Sequence, residues 1–255
     1  MQSMMNTLTK EKKTRVVPAT VRRRFCLVFD VETTGLLPKR SARGVSLAEY
    51  PHILQLSFVM YDLHENRICK TYDSYIRVGG EVVISEYVQN LTGISPSICV
   101  TTGKDIVEVL YNFYQAYIMC DVLVAHNMDF DEKMILVEME RNRIRIGEMF
   151  PEMLVVFNPV YEETRGLERF CTMRKGTTLC GLSHSVSTTT SDTVNGSSST
   201  ADIMVEKKPK WPKLAELYAK LFDGTCPEGL HNSMNDVMAT LRCYLKMRHN
   251  YVLGV

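Results

Sequence analysis

Apolar and polar positions follow two rhythms along this chain, and the changes of rhythm mark out its elements. Residues 25–32 (FCLVFDVE) are aliphatic, aromatic and β-branched except for two carboxylates, and Thr33-Thr34-Gly35 stops the run, the pattern of a strand. Residues 52–61 (HILQLSFVMY) and 67–77 (RICKTYDSYIR) read as two more strands, with Asp62–Asn66 as the hairpin turn between them. Residues 36–51 read as a long loop. The period then lengthens. A short helix is expected over Ile84–Leu91, stopping near Gly93 and Pro96. A longer one is expected over Asp105–Met119, where Ile106, Val109, Leu110, Phe113 and Tyr117 have the three-to-four spacing of a core-facing stripe. Residues 121–125 (DVLVA) read as a buried strand and 131–143 as the helix after it. Two helices close the chain, Trp211–Phe222 with Pro212 near its first turn and Met234–Arg248 with Val237, Leu241 and Tyr244 on one stripe.

Three consecutive strands with short connections favour an antiparallel meander, and a later strand between helices favours a parallel addition to the same sheet. The expected architecture is a mixed α/β layer. Residues 183–200 stand apart: 12 of 18 are Ser or Thr, too little apolar surface to offset the entropy of ordering a backbone. The expected organisation is a flexible basic arm at 1–23 and a single domain at 24–250, carrying a disordered Ser/Thr-rich insertion at about 181–208.

Composition narrows the function classes. A hydrophobic share of 45% and a charged share of 23% are those of a globular protein. No apolar run reaches the roughly 20 residues that span a bilayer, and the first 24 residues lack the apolar core of a secretory signal. Eight cysteines without a CxxC pair argue against structural zinc and for free thiols. The expected location is a reducing intracellular compartment, cytoplasm or nucleus, without a membrane. A net charge of +1 is uninformative, but the basic residues cluster in 10–24, at Arg141, Arg143 and Arg145, and at Lys207, Lys208, Lys210 and Lys213. They are a path for a phosphate backbone or simply solvated surface.

The candidate chemistry lies in three separated clusters. Asp30 and Glu32, two apart on a strand, point to one face; adjacent carboxylates repel unless a cation lies between them, and magnesium favours such oxygen ligands. In AHNMDFD, Asp131 opens a helix, where the macrodipole alone would favour an acid; Asp129 competes with it, and spacing does not choose. In HNSMND, Ser233 could cap the last helix with Asp236 completing a capping box, which would leave Asp236 unavailable to a metal. His231 would then sit in the preceding loop, where an imidazole can take a proton at neutral pH.

FDVETTGL, HNMDFD and HNSMND together resemble the exonuclease motifs of the DnaQ-like, histidine-type DEDD family: D-x-E-T-T-G, H-N-x-x-F-D and H-x-x-x-x-D, all matched, over about residues 25–248. The resemblance implies an RNase H-like fold and a 3′→5′ exonuclease that releases nucleoside 5′-monophosphates. It implies two Mg²⁺ or Mn²⁺ ions held by Asp30, Glu32, Asp131 and Asp236, His231 as general base, and Thr33 and Leu36 against the terminal nucleotide. It selects Asp131 over Asp129. The expected substrate is a nucleic acid with a 3′ end, single-stranded DNA favoured, with a polymerase or replication partner in view; RNA trimming and a non-catalytic polymerase-associated binding module are the alternatives. The 36–51 loop, the insertion and the basic arm depart from compact members of the family and leave the shape of the substrate open.

Overall fold

Strand β1 (Phe25–Thr33) is the axis around which the polar clusters are arranged. The computed structural model describes residues 23–39, 45–183 and 209–253. β2 (Ile53–Asp62) and β3 (Arg67–Tyr75) follow β1 as the expected antiparallel meander. Their turn includes Asn66 at φ 53°, a left-handed conformation that Asn tolerates better than most residues. Then come α1 (Glu86–Thr92), α2 (Pro96–Thr101), α3 (Ile106–Tyr117), β4 (Val122–Ala125), α4 (Met128–Arg141), α5 (Arg143–Met149), α6 (Pro159–Arg165), β5 (Glu168–Cys171), α7 (Thr172–Cys180), α8 (Leu214–Leu221) and α9 (Ser233–His249).

The sheet order is β3-β2-β1-β4-β5, with β1, β4 and β5 parallel. Side-chain alternation splits β1 between two cores. Leu27, Phe29 and Val31 pack with residues of α3 and α4 such as Phe113 and Ile135. Cys26 and Val28 pack with Val237, Leu241 and Tyr244 of α9. Asp30 and Glu32 continue the second row, so the fold turns them toward the face that α9 covers. Pairing between β1 and β4 is confined to Cys26–Val28. Past Val28 the pairing stops while β1 runs on to Thr33, so Asp30 and Glu32 sit at the carboxyl ends of the parallel strands, the usual place for a ligand site on such a sheet.

Several boundaries differ from expectation. Pro96 starts a helix rather than ending one: Gly93 at φ 73° closes α1, and Ser95 caps α2 with Pro96 in its first turn. α8 starts at Leu214, after Pro212 rather than around it. β5 has no expected counterpart, because only Phe170 of its four residues is buried. In the cluster at 141–145 each arginine has a partner within the chain. Arg141 spends its guanidinium on the carbonyls of Leu47, Tyr50 and Pro51 and on Glu138, while Arg143 pairs with Glu140 and Arg145 with Asp105.

Of the basic arm, residues 1–22 lie outside the described residues; Arg23 is ion-paired with Glu168 and Arg24 with Asp62. Most of the expected insertion, 184–208, also lies outside them. Its flanks meet: Ser183 and Pro209 form an isolated bridge, and the Lys210 N–H donates to the Leu182 carbonyl at 2.9 Å. The chain therefore leaves and re-enters the fold at one point. All eight cysteines are free, and among the described residues no helix is long and apolar enough to cross a membrane.

Candidate active site

Asp30 and Glu32 are brought to one face by strand geometry, and α9 delivers Asp236 to them. The three carboxylates each offer an oxygen within 4.8 Å of the other two. The capping alternative for Asp236 does not hold. Asn232 is the N-cap of α9, its side chain accepting the Asn235 N–H, and Ser233 is the first helical residue, fully buried. Asp236 instead accepts the backbone N–H of His231 at 3.3 Å through Oδ2, while its Oδ1 is buried without a hydrogen-bond partner among the described residues. An orphaned carboxylate oxygen beside two further carboxylates is a donor set that fits a hard divalent cation.

Asp131 lies in the first turn of α4, which begins at Met128 rather than at Asp131 itself. The side chain is 2% exposed and reaches the rim of β1, where Oδ1 accepts the Val31 N–H at 3.1 Å. Asp129, the competing acid, is exposed and ion-paired with Arg174 on the opposite side of the turn. It joins none of these contacts.

Burial and mutual repulsion dominate the electrostatics. Asp30 is raised well above the usual carboxylate range, first by burial and then by the charges of Asp131, Asp236 and Glu32. Burial lifts Glu32 to about 7 and Asp236 to about 6, the latter opposed by the His231 N–H. Asp131 is also raised, by burial above all, although the Val31 N–H pulls the other way. Without a cation, the cluster holds protons that four solvated carboxylates would have lost at neutral pH.

His231 is exposed at φ 68° in the loop before α9. Among the described residues no hydrogen bond holds its ring. At the end of β1, Thr33 is 8% exposed and its hydroxyl donates to the Gly35 carbonyl at 2.6 Å, bracing the turn, whereas Leu36 is 87% exposed. Thr34 ties that turn to His52 in both directions, at 2.9 Å each. A bulge between Glu32 and Thr33 leaves Leu54 unopposed, so Leu54 turns to the small core formed with Ile84 and Val88.

Sequence reasoning passed over two features. Gln55 and Ser57 lie beneath the carboxylates, fully buried; their signal was two polar residues at two-residue spacing in an otherwise apolar strand. His126, the histidine of AHNMDFD, bridges the Thr172 hydroxyl and the Pro212 carbonyl, and burial depresses its pKa to about 4. It is a neutral tie between the end of β4, the start of α7 and the approach to α8.

An α/β sheet with a nest of carboxylates at the ends of its parallel strands defines a class, and the comparisons agree. The chain belongs to the exonuclease family: the model of the RNase T exonuclease family matches residues 27–173, more than half of its length. That span holds Asp30, Glu32 and Asp131 and stops short of His231 and Asp236. Among curated relatives, the PolC-type DNA polymerase III of Streptococcus sanguinis is 34% identical over 46% of this chain, and that of Lactococcus lactis 32% identical over 47%. The chain spans only 7% and 6% of the lengths of those two proteins. Among solved structures, Escherichia coli exonuclease I in complex with a dT13 oligonucleotide superposes with a TM-score of 0.58 at 15% identity, covering 89% of this chain and 42% of that one. A moderately thermophilic exonuclease I from Methylocaldum szegediense gives 0.55 at 18%, covering 89% and 41%. The fold is thus the RNase H-like fold of DnaQ-like exonucleases.

Proposed function

We propose that this protein is a metal-dependent 3′→5′ exonuclease that hydrolyses the terminal phosphodiester bond of single-stranded DNA and releases nucleoside 5′-monophosphates. The convergence of Asp30, Glu32 and Asp236 within 4.8 Å carries this reading. These three, with Asp131 alongside, are the residues assigned to hold two Mg²⁺ or Mn²⁺ ions. Bound there, such ions would neutralise charge on the scissile phosphate and acidify water.

The remaining work falls to the chain. His231, free of side-chain restraint at the mouth of the site, accepts the proton that the attacking water gives up. Thr33 and Leu36, at the turn where β1 ends, meet the terminal nucleotide, Leu36 offering an exposed apolar surface to its base or sugar. The preference for DNA is supported by the dT13 complex of E. coli exonuclease I, and a role beside a polymerase by the PolC relatives.

The test is release of mononucleotides from DNA and RNA oligomers carrying a 3′ or a 5′ label, with Mg²⁺, Mn²⁺ or chelator, on single- and double-stranded ends. Early mononucleotide release from the 3′ label of single-stranded DNA, abolished by chelator, is the expected result. Release that begins at the 5′ label, or none with either metal, defeats the proposal. Faster turnover of RNA would reassign the polymer, since the motif residues do not report the 2′-hydroxyl.

A further inference from the structure

Beneath the carboxylates, four polar side chains from three elements close a ring. Asp73 of β3 accepts, through Oδ1, the Ser57 hydroxyl at 2.7 Å and the Gln55 Nε2 amide at 2.8 Å. Ser57 is in turn bonded to the Ser233 hydroxyl, and the Gln55 Oε1 accepts the Ser233 backbone N–H at 3.3 Å. The polarity of the ring follows from its ends. A carboxylate only accepts and an N–H only donates, so Gln55 has one orientation that satisfies both neighbours. With the Ser57 proton committed to Asp73, its oxygen must accept from Ser233.

The ring lies beside the acids by register. Ser57 is opposite Asp30 on one side and Asp73 on the other, and Gln55 is opposite Glu32. Ser233 is the first residue of α9, two positions after His231 and three before Asp236. Gln55, Ser57 and Ser233 are each 0% exposed, so the two links that reach the start of α9 are dry and breaking one leaves a group unpaired, while Asp73, itself exposed, closes the ring from β3.

We infer that Asp73, Gln55 and Ser57 are positioning residues for the cation site: they hold the first turn of α9 down against β1 and β2, keeping Asp236 beside Asp30 and Glu32 despite the mutual repulsion of the three acids. This rests on the reading of those acids as a divalent-cation site. The Asp73 carbonyl-type acceptor is what the ring needs, and the Asp73 charge is secondary, because one oxygen takes both hydrogen bonds.

Mn²⁺ binding to the full chain, by calorimetry without nucleic acid, is measured alongside thermal unfolding in chelator. Asp73→Leu, on the edge strand, and Ser57→Ala should each raise the Mn²⁺ Kd by about tenfold, the equivalent of about 1.4 kcal/mol. Asp73→Asn, which keeps the acceptor oxygen, should bind within about twofold of wild type. A lowered melting temperature with an unchanged Kd in both Asp73→Leu and Ser57→Ala marks the ring as mere scaffold and overturns the inference. Loss of binding in Asp73→Asn as severe as in Asp73→Leu overturns it too. If the wild-type chain binds no Mn²⁺, the cation-site reading fails, and the inference with it.

Discussion

The Asp131 carboxylate accepts the backbone N–H of Val31 at 3.1 Å, joining positions 100 residues apart. Val31 lies three residues past Val28, the last residue of β1 paired with β4, so a side chain takes the place of a strand partner where the pairing has stopped. Asp131 thus has two functions that can be separated. It closes a backbone hydrogen bond, and it adds negative charge to Asp30.

Replacing Asp131 should separate them. Asp131→Ala leaves the buried Val31 N–H without an acceptor, a loss of about 1–3 kcal/mol. Asp131→Asn keeps an acceptor oxygen and removes a repelling charge. In chelator, Asp131→Asn should therefore melt at or above the wild-type temperature and Asp131→Ala well below it. Equal losses in both variants would show that the N–H contact contributes nothing.

Thermal stability should depend on pH in opposite senses with and without a cation. Glu32 and Asp236 have folded pKa values of about 7 and about 6, above their ordinary range. Their contribution is fully present below the unfolded carboxylate pKa and is lost as pH rises through about 6 to 7. A bound divalent cation replaces the protons and removes that loss. Mn²⁺ should therefore raise the melting temperature more at about pH 8 than at about pH 5. A shift of equal size at both values would contradict the assignment.

His126 has the reverse sign. Its folded pKa of about 4 lies below the ordinary histidine value, so the stability it provides is present above about pH 6.5 and is lost as pH falls toward 4. With saturating Mn²⁺ holding the carboxylates ionised, this acid limb should dominate the melting curve. Replacing His126 with Asn should flatten it, and a wild-type curve that is flat over this window would show that His126 is not buried as a neutral ring.

Activity should fail by distinct routes. The double variant Asp30→Ala/Glu32→Ala should lose Mn²⁺ binding and hydrolysis together. His231→Ala should keep the wild-type Mn²⁺ Kd while kcat falls by about a hundred- to ten-thousandfold, the range for a lost general base. Weakened Mn²⁺ binding in His231→Ala would place the imidazole among the ligands instead.

Arg141 tests the basic cluster at 141–145. Arg141→Gln removes both the charge and the forked donors that reach Leu47, Tyr50 and Pro51. It should lower the melting temperature and leave the salt dependence of oligonucleotide binding unchanged. A shallower salt slope would place Arg141 on the phosphate path.

Much of the fold was legible where local pattern and tertiary role coincide. The strand FCLVFDVE carries its own alternation, and α3 its stripe, because each needs only one buried face to be specified. β5 and α2 were illegible for a related reason: a four-residue edge strand with one buried side chain has no period, and a proline that could end one helix serves equally in the first turn of another. The acids could be named but not placed. Spacing gave Asp30 and Glu32 a shared face, yet nothing local said whether Ser233 or Asn232 capped α9, and that choice decides whether Asp236 is spent on a helix end or free.

The order of residues by itself determined the candidate groups: an alternating strand with two acids, an aspartate after a buried strand and a histidine before a helix, because residue type and short-range period are properties of the chain alone. Only the tertiary structure decided that Asp30, Glu32 and Asp236 meet, that Asp131 replaces a strand partner, that Arg141 braces a loop, and that Gln55, Ser57 and Asp73 form a hydrogen-bonded ring with the start of α9. Those facts depend on strand register and on where the pairing of β1 and β4 stops, and both are set by packing between segments far apart in the chain.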